Sequence, residues 1–288
     1  MPRSRLFCSR CAAAPGISPG RRNRPTQAFH ARRQSASFLN MPPLPGAGLF
    51  RDLAAQAGRE LLDVLFPMEC VSCGASGKVI CDKCAAALPL LLRPFCAICA
   101  TPGDFARCQS CAESVRQFDG VRAPYRYAGA IRQAILALKY GNIKAGAPQL
   151  GDLLADYLSD NPLPGEIIVP VPMHPRRLRE RGYNQAELLA RRVAAHNKLR
   201  YERDLLFRTR QVEPQAGIGS AAQRTVNVSG SIGVSTDREV SGASVILVDD
   251  VATTGSTLET CASALKQAGA VSVWGLTLAV AGGESLKE

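Results

Sequence analysis

The stretch Val245-Ile-Leu-Val-Asp-Asp-Val-Ala-Thr-Thr-Gly-Ser-Thr257 decides how this 288-residue chain is read. Ser244–Val248 is a short, unbroken apolar run, the pattern of a strand buried on both faces at the centre of a parallel sheet. Two carboxylates, Asp249 and Asp250, follow it. Then comes a loop of small and hydroxyl residues, and Ser256–Ala268 carries the spacing of a helix. Val271–Val280 reads as the next strand. A strand, a helix and a second strand in succession predict an α/β domain with a mostly parallel sheet.

The chain on the N-terminal side repeats the alternation. Val121–Tyr127 alternates like a strand, and Ala130–Tyr140 has helical spacing at Ile131, Ile135 and Leu138. Leu150–Leu158 is a further helix, Glu166–Val169 a buried strand closed by Pro-Val-Pro, and Tyr183–His196 a helix with Leu188, Leu189 and Val193 on one face. Residues 207–230 are polar and contain glycine, which suits a loop or hood.

The residues after the central strand define a chemistry. At the C-terminal end of a parallel strand, Asp249 and Asp250 are expected to face the crevice where open α/β sheets bind ligands, accepting hydrogen bonds from vicinal hydroxyls of a ribose. Ala252, Thr253, Thr254, Gly255, Ser256 and Thr257 bring backbone amides to a helix N-terminus, where the macrodipole favours an anion. Their hydroxyls add donors, and Gly255 lets the backbone approach a phosphate. An ordinary helix cap needs one such residue, not a dense run behind paired acids.

A second constellation lies upstream, with the spacing Cys70-x2-Cys73-x7-Cys81-x2-Cys84 and Cys96-x2-Cys99-x8-Cys108-x2-Cys111. Each Cys-x-x-Cys turn brings two thiolates to one metal, and two turns complete a tetrahedron. Eight ligands therefore imply two structural zinc sites of four cysteines each, with no open position for catalysis. Free thiols, redox pairs or an iron–sulfur cluster are the competing readings; four pairs packed this densely favour zinc. Sequential pairing closes the shorter loops and is expected over an interleaved cross-brace. Cys8 and Cys11 have no partner pairs and read as chance, and Cys261 as a core residue. Gly77-Lys78 lacks the remaining residues of a phosphate-binding P-loop.

The net charge of +11 suggests a nucleic-acid binder until its distribution is considered. Residues 1–50 hold eight arginines and no acid, leaving only +3 for the remainder. Residues 1–47 read as a disordered basic leader, with a translation start near Met41 favoured over a targeting peptide or a nucleic-acid arm. Residues 48–67 read as an amphipathic helix stopped by Pro67, 68–115 as the zinc module and 120–284 as the α/β domain. No hydrophobic signal segment precedes the cysteines and no run is long enough to span a membrane, so a reducing cytoplasm is expected.

Val245–Thr257 resembles the signature by which type I phosphoribosyltransferases bind phosphoribosyl diphosphate (PRPP). From about Cys70 to Val280 the chain is similar to the ComF family of competence proteins. That likeness rests on Leu138-Lys-Tyr-Gly141, Val169-Pro-Val-Pro-Met-His-Pro-Arg-Arg177, Arg181-Gly-Tyr-Asn-Gln185, Arg208-Thr-Arg210 with Gln215, Arg224 and Asn227, and the double zinc ribbon. The resemblance implies a type I phosphoribosyltransferase fold and a diphosphate loop at Val171, Pro172, Met173, His174 and Pro175. It also implies ribose contacts from Asp249 and Asp250, 5′-phosphate contacts from Thr253–Thr257, and residues 207–230 near the mouth.

Lys139, Arg176, Arg177 and Arg181 are candidate diphosphate contacts or solvated surface charges, and Mg²⁺ would accompany PRPP. His174 is expected to shape the backbone between two prolines, with acid–base chemistry as the alternative. Tyr140 and Tyr183 would either stack on an acceptor or pack. Three function classes follow: a phosphoribosyltransferase acting on a nucleobase or other nitrogenous acceptor in DNA uptake or nucleotide salvage, a non-catalytic sensor or scaffold for DNA-uptake proteins, and a zinc-ribbon binder of single-stranded DNA.

Overall fold

The computed structural model describes residues 68–141, 144–208 and 232–282. The expected leader, the expected helix 48–67, Cys8, Cys11 and residues 209–230 of the expected hood lie outside the described residues. None of the helices within them is long and apolar enough to cross a membrane.

Each ribbon carries one short helix, α1 at Asp82–Ala85 and α2 at Gln109–Glu113, both begun on a cysteine in extended conformation. The α/β domain then runs β1 Gly120–Arg122, β2 Tyr125–Arg126, α3 Gly129–Tyr140, α4 Ala147–Asp160, β3 Ile167–Pro170, α5 Pro175–Arg181, α6 Gln185–Asn197, β4 Arg200–Tyr201, β5 Leu206–Arg208, β6 Ile232–Val234, β7 Ser244–Ala252, α7 Ser256–Gln267 and β8 Ser272–Val280. Six strands form one parallel sheet in the order β1-β8-β7-β3-β4, with β2 continuing along β8 beyond β1. Separately, β5 pairs with β6 in antiparallel fashion.

The long strands are buried on both faces, and strict alternation divides their side chains between two cores. Ile167, Val169, Val245, Leu247 and Val273 face α7 and the β5–β6 pair. Ile168, Ile246, Val248, Leu276 and Leu278 face α3, α4 and α6. This arrangement follows from the connections. The crossover from β3 through α6 runs outward to β4, whereas the one from β7 through α7 runs the other way to β8. Right-handed crossovers in opposite directions place their helices on opposite faces and open a crevice between β3 and β7 at their C-terminal ends.

The zinc module supplies apolar residues to both cores. Val79, Ile80 and Leu88 join the α3–α4 side, with the Ile80 amide and carbonyl both bonded to the Gln149 side chain at 3.0 and 2.6 Å. Leu91, Ala100, Phe95 and Ile98 join the α7 side. Between them, Pro89–Leu91 runs antiparallel along β2: Arg126 N–H donates to the Pro89 carbonyl and Leu91 N–H to that of Pro124, each at 2.8 Å.

Most of the longer elements fall where the sequence places them; α5 and the short strands β4 and β6 were not predicted, and three expected bounds need correction. The expected strand Val121–Tyr127 is two strands, because Ala123–Pro124 interrupts the ladder. The central strand does not end at Val248; β7 continues to Ala252 and stays paired with β8 as far as Val280. Phe207 and Arg208, read as the start of a loop, belong to β5.

Candidate functional site

A cavity of about 500 Å³ occupies the crevice between β3 and β7. Its lining includes Lys139, Val171–His174, Arg177, Arg181, Asn184, Arg208, Asp249, Asp250, Thr253 and Thr257. The sequence-selected segments around Lys139, Val171–Arg181 and Asp249–Thr257, far apart along the chain, converge there.

Because β7 extends past both acids, Asp249 and Asp250 leave opposite faces of the strand rather than sharing one. Asp250 is 2% exposed. One of its oxygens takes an ion pair from Lys139 Nζ at 2.8 Å, while the other, Oδ2, is buried with no hydrogen-bond partner. An orphaned carboxylate oxygen at a cavity wall is costly unless a ligand donates to it. Asp249 accepts the amide of Asp250 through Oδ1 at 2.8 Å. Burial, reinforced by the charge of Asp250, pushes its carboxyl up to about 7.

The loop after β7 behaves in two ways. Thr254 Oγ1 accepts the Ser256 amide at 3.3 Å and donates to Ser256 Oγ at 3.1 Å, so this pair caps α7 internally. That corrects the expectation for Ser256, whose amide is occupied. Among the described hydrogen bonds, none uses the amides of Thr253, Thr254, Gly255 or Thr257. Gly255 adopts φ +74° in the left-handed region, the conformation that lets the loop turn into the helix. Ala252 is buried as the last residue of β7, and its carbonyl accepts from Ala281; it does not line the cavity.

The β3 exit loop is held from below. Val171 N–H donates to the Val248 carbonyl at 2.9 Å, Asn184 Nδ2 to that of Val171 at 3.0 Å, and Arg208 Nε to that of Pro172 at 3.0 Å. His174 is the N-cap of α5: its Nδ1 accepts the Arg176 amide at 3.1 Å. This shapes the backbone, as the flanking prolines suggest. Arg176 departs from expectation. It pairs with Glu180 at 2.8 Å along the helix and is not among the cavity residues.

Tyr183 packs, donating its hydroxyl to the Leu138 carbonyl at 2.6 Å, whereas Tyr140 stands at the rim, 77% exposed, with the Arg181 guanidinium 5.4 Å from its ring. Arg208 and Asn184 are cavity residues to which sequence reasoning gave no role. Asn184 carried a signal as the N-cap of α6, where its Oδ1 accepts the Ala186 amide. Arg208 had none beyond the quoted Arg-Thr-Arg stretch.

Lys139, Arg177, Arg181 and Arg208 bring four positive charges to the cavity against the two aspartates. With free amides at the mouth of α7, the arrangement suits an anion at either end and hydroxyl groups between.

The cysteines form two sequential groups, Cys70, Cys73, Cys81 and Cys84, then Cys96, Cys99, Cys108 and Cys111; within each, all sulfurs lie within 4.8 Å of one another. A tetrahedral Zn²⁺ with bonds near 2.3 Å needs sulfurs about 3.8 Å apart, so both sets fit the ion. The Cys81 amide donates to Cys70 Sγ at 3.4 Å and draws that thiol down to about 6, favouring the thiolate that binds metal. Burial opposes ionisation at Cys96, but the amides of Cys108, Cys99 and Ile98 outweigh it and also bring the thiol to about 6. Cys261 is fully buried in the core, and its thiol is pushed up to about 12 by that burial.

Comparison with known proteins agrees with this two-part build. Residues 61–116 match the family described as the double zinc ribbon domain, and residues 179–288 the phosphoribosyl transferase domain. The chain is 35% identical to competence protein F of Haemophilus influenzae over 117 residues, which is 40% of this chain and 51% of that protein. It is 31% identical to DNA utilization protein YhgH of Escherichia coli over 205 residues, 68% of this chain and 88% of the relative. With competence protein ComFC of Bacillus subtilis it shares 26% over 211 residues, 69% and 83% of the two chains.

Among solved structures, an allosteric regulatory enzyme of purine biosynthesis matches at 22% identity and TM-score 0.32, over 46% of this chain and 25% of the other. Two four-cysteine ribbons, a parallel phosphoribosyltransferase-type sheet and alignment along most of YhgH lead to one statement of kinship: the chain belongs to the ComF family of competence and DNA-utilization proteins.

Proposed function

We propose that the cavity between β3 and β7 binds PRPP with Mg²⁺ in the cytoplasm, and that the protein transfers the phosphoribosyl group to a nitrogenous acceptor in support of DNA uptake. The observation that carries this reading is the buried, unpartnered Oδ2 of Asp250 at the wall of a cavity with cations on one side and free amides on the other. Asp250 and Asp249 accept the ribose hydroxyls. Thr253, Thr257 and the free amides of the α7 turn take the 5′-phosphate. The loop Val171–His174, with Arg177, Arg181 and Lys139, takes the diphosphate, and Arg208 braces that loop through the Pro172 carbonyl.

In the transfer, the bond from C1′ to the diphosphate oxygen breaks as a bond from C1′ to the acceptor nitrogen forms. Positive charge that develops on the ribose faces the two carboxylates, and the departing diphosphate faces the arginines. Catalysis of this kind needs positioning and charge stabilisation rather than a nucleophile. Bound with the substrate, Mg²⁺ would supply positive charge against the diphosphate.

Titration calorimetry with PRPP and Mg²⁺ tests the site. Asp250→Asn, which removes a buried anionic acceptor, is expected to weaken binding about 10- to 100-fold. Asp249→Asn is expected to weaken it less. Equal binding by wild type and both variants, or by none of them, contradicts the assignment. Release of diphosphate with nucleobases then separates a transferase from a PRPP sensor.

A further inference from the structure

The second ribbon touches the α7 turn directly, through Arg116–Phe118. Phe118 is buried beneath that turn, and a β-carbon at Gly255 would stand 3.6 Å from its ring. The Gln117 amide donates to Glu259 Oε1 in the first turn of α7 at 2.9 Å. Arg116 donates through Nη2 to Ser110 Oγ at 2.5 Å, lies against the Cys111 sulfur, and stacks at 5.9 Å over Phe118. Its charge also faces Glu259. A donor on one side, Arg116 Nε, and an acceptor on the other, Glu259 Oε2, are both buried without partners. Nothing comparable links the first ribbon to α7 among the described residues: its apolar residues pack on the α3–α4 side.

We infer that Arg116, Phe118 and Glu259 are positioning residues for the phosphate turn, and that the metal in the Cys96/Cys99/Cys108/Cys111 site holds them in place. Ser110 adjoins the ligand Cys111, so a side chain bonded to it is held with the ligand set, as groups around a metal's ligands are. Metal in this site therefore anchors Cys111 and Ser110, these anchor Arg116, and the segment that follows sets the height of Gly255 and the direction of α7. Arg116 has an electrostatic task as well. The Glu259 carboxylate sits one turn from an anion-binding helix end, where it would repel a phosphate; the guanidinium offsets that charge.

This inference rests on the PRPP reading for its ligand but not for its mechanics, so the test has two arms. Hydrogen exchange of the zinc-loaded protein reads the bonded amides of Ser256 and of residues 259–262 at the start of α7, with α6 as the internal reference. Arg116→Met and Glu259→Ala leave all eight cysteines in place and are expected to speed exchange of the turn at least fivefold with two zinc ions still bound per chain. Glu259→Gln keeps the acceptor for Gln117 and is expected to fall between. Cys108→Ser, which disrupts the second site, should loosen the turn likewise, whereas Cys73→Ser in the first site should leave it as in wild type.

Binding of PRPP with Mg²⁺ should weaken about five- to tenfold in Arg116→Met and Glu259→Ala. Unchanged exchange in both of those variants, or equal loosening by Cys73→Ser and Cys108→Ser, overturns the inference. Loosening of the turn in a protein whose wild type does not bind PRPP upholds the mechanical link and overturns the ligand assignment instead.

Discussion

At Asp249, burial and the Asp250 charge push the carboxyl up to about 7 from an ordinary 3.8, so the folded protein holds a proton there that the unfolded chain has released. The sign follows from that difference. The stabilisation associated with this proton is fully present below about pH 4 and is lost as pH rises through 7. Urea denaturation at pH 5 and pH 8 is expected to show wild type losing more stability across that interval than Asp249→Asn, which has no proton to give up. Parallel losses would show that the carboxyl titrates normally. The site was legible at this scale where chemistry is concentrated in one run: Asp249–Thr257 announced acids, hydroxyls and a helix mouth in a single stretch. The cavity roles of Asn184 and Arg208 were opaque because each reaches the cavity from another segment and acts on a backbone carbonyl; the N-cap pattern at Asn184 points only to its bond with Ala186.

Among the elements, α5 was missed although its ends are well marked. His174 caps it, Pro175 opens it and Gly182 closes it in the left-handed conformation at φ +78°. Its interior, Arg-Arg-Leu-Arg-Glu-Arg, offers no apolar stripe, so hydrophobic periodicity had nothing to detect. A side chain at Gly182 would meet nothing within 4 Å, which isolates the backbone effect. Gly182→Ala is therefore expected to cost about 1–2 kcal/mol, the left-handed penalty, in a denaturation midpoint, and Gly182→Asn less. A neutral alanine would mean that the helix end adopts another conformation. The extension of β7 was hidden for a related reason. Two charged residues interrupt the apolar run, yet the ladder to β8 continues beneath them because Asp250 has Lys139 to offset its charge.

For the molecule as a whole, spacing favoured the sequential metal groups that the fold assembles, since joining neighbouring cysteine turns closes the shorter loops. Two zinc ions per chain are expected by metal analysis, falling to one in Cys73→Ser or Cys108→Ser, and a chelator is expected to melt the ribbons. Recovery of a fully folded chain without metal would overturn that assignment. What spacing did not reveal is that the ribbons contribute to both hydrophobic cores, because ligand patterns carry no information about the surface a module docks on.

The backbone pairing of Pro89–Leu91 with β2 makes amputation hazardous. A fragment beginning near residue 117 would bare β1 and β2 as a row of unsatisfied amides and carbonyls, flanked by greasy patches vacated by Val79, Ile80, Leu88 and Leu91. Such a fragment should stick to its own kind, strand against strand, and elute from a sizing column as aggregate while the intact chain does not. The cysteine-rich module is thus also a selvedge, the finished border that keeps the fabric from catching on its neighbours.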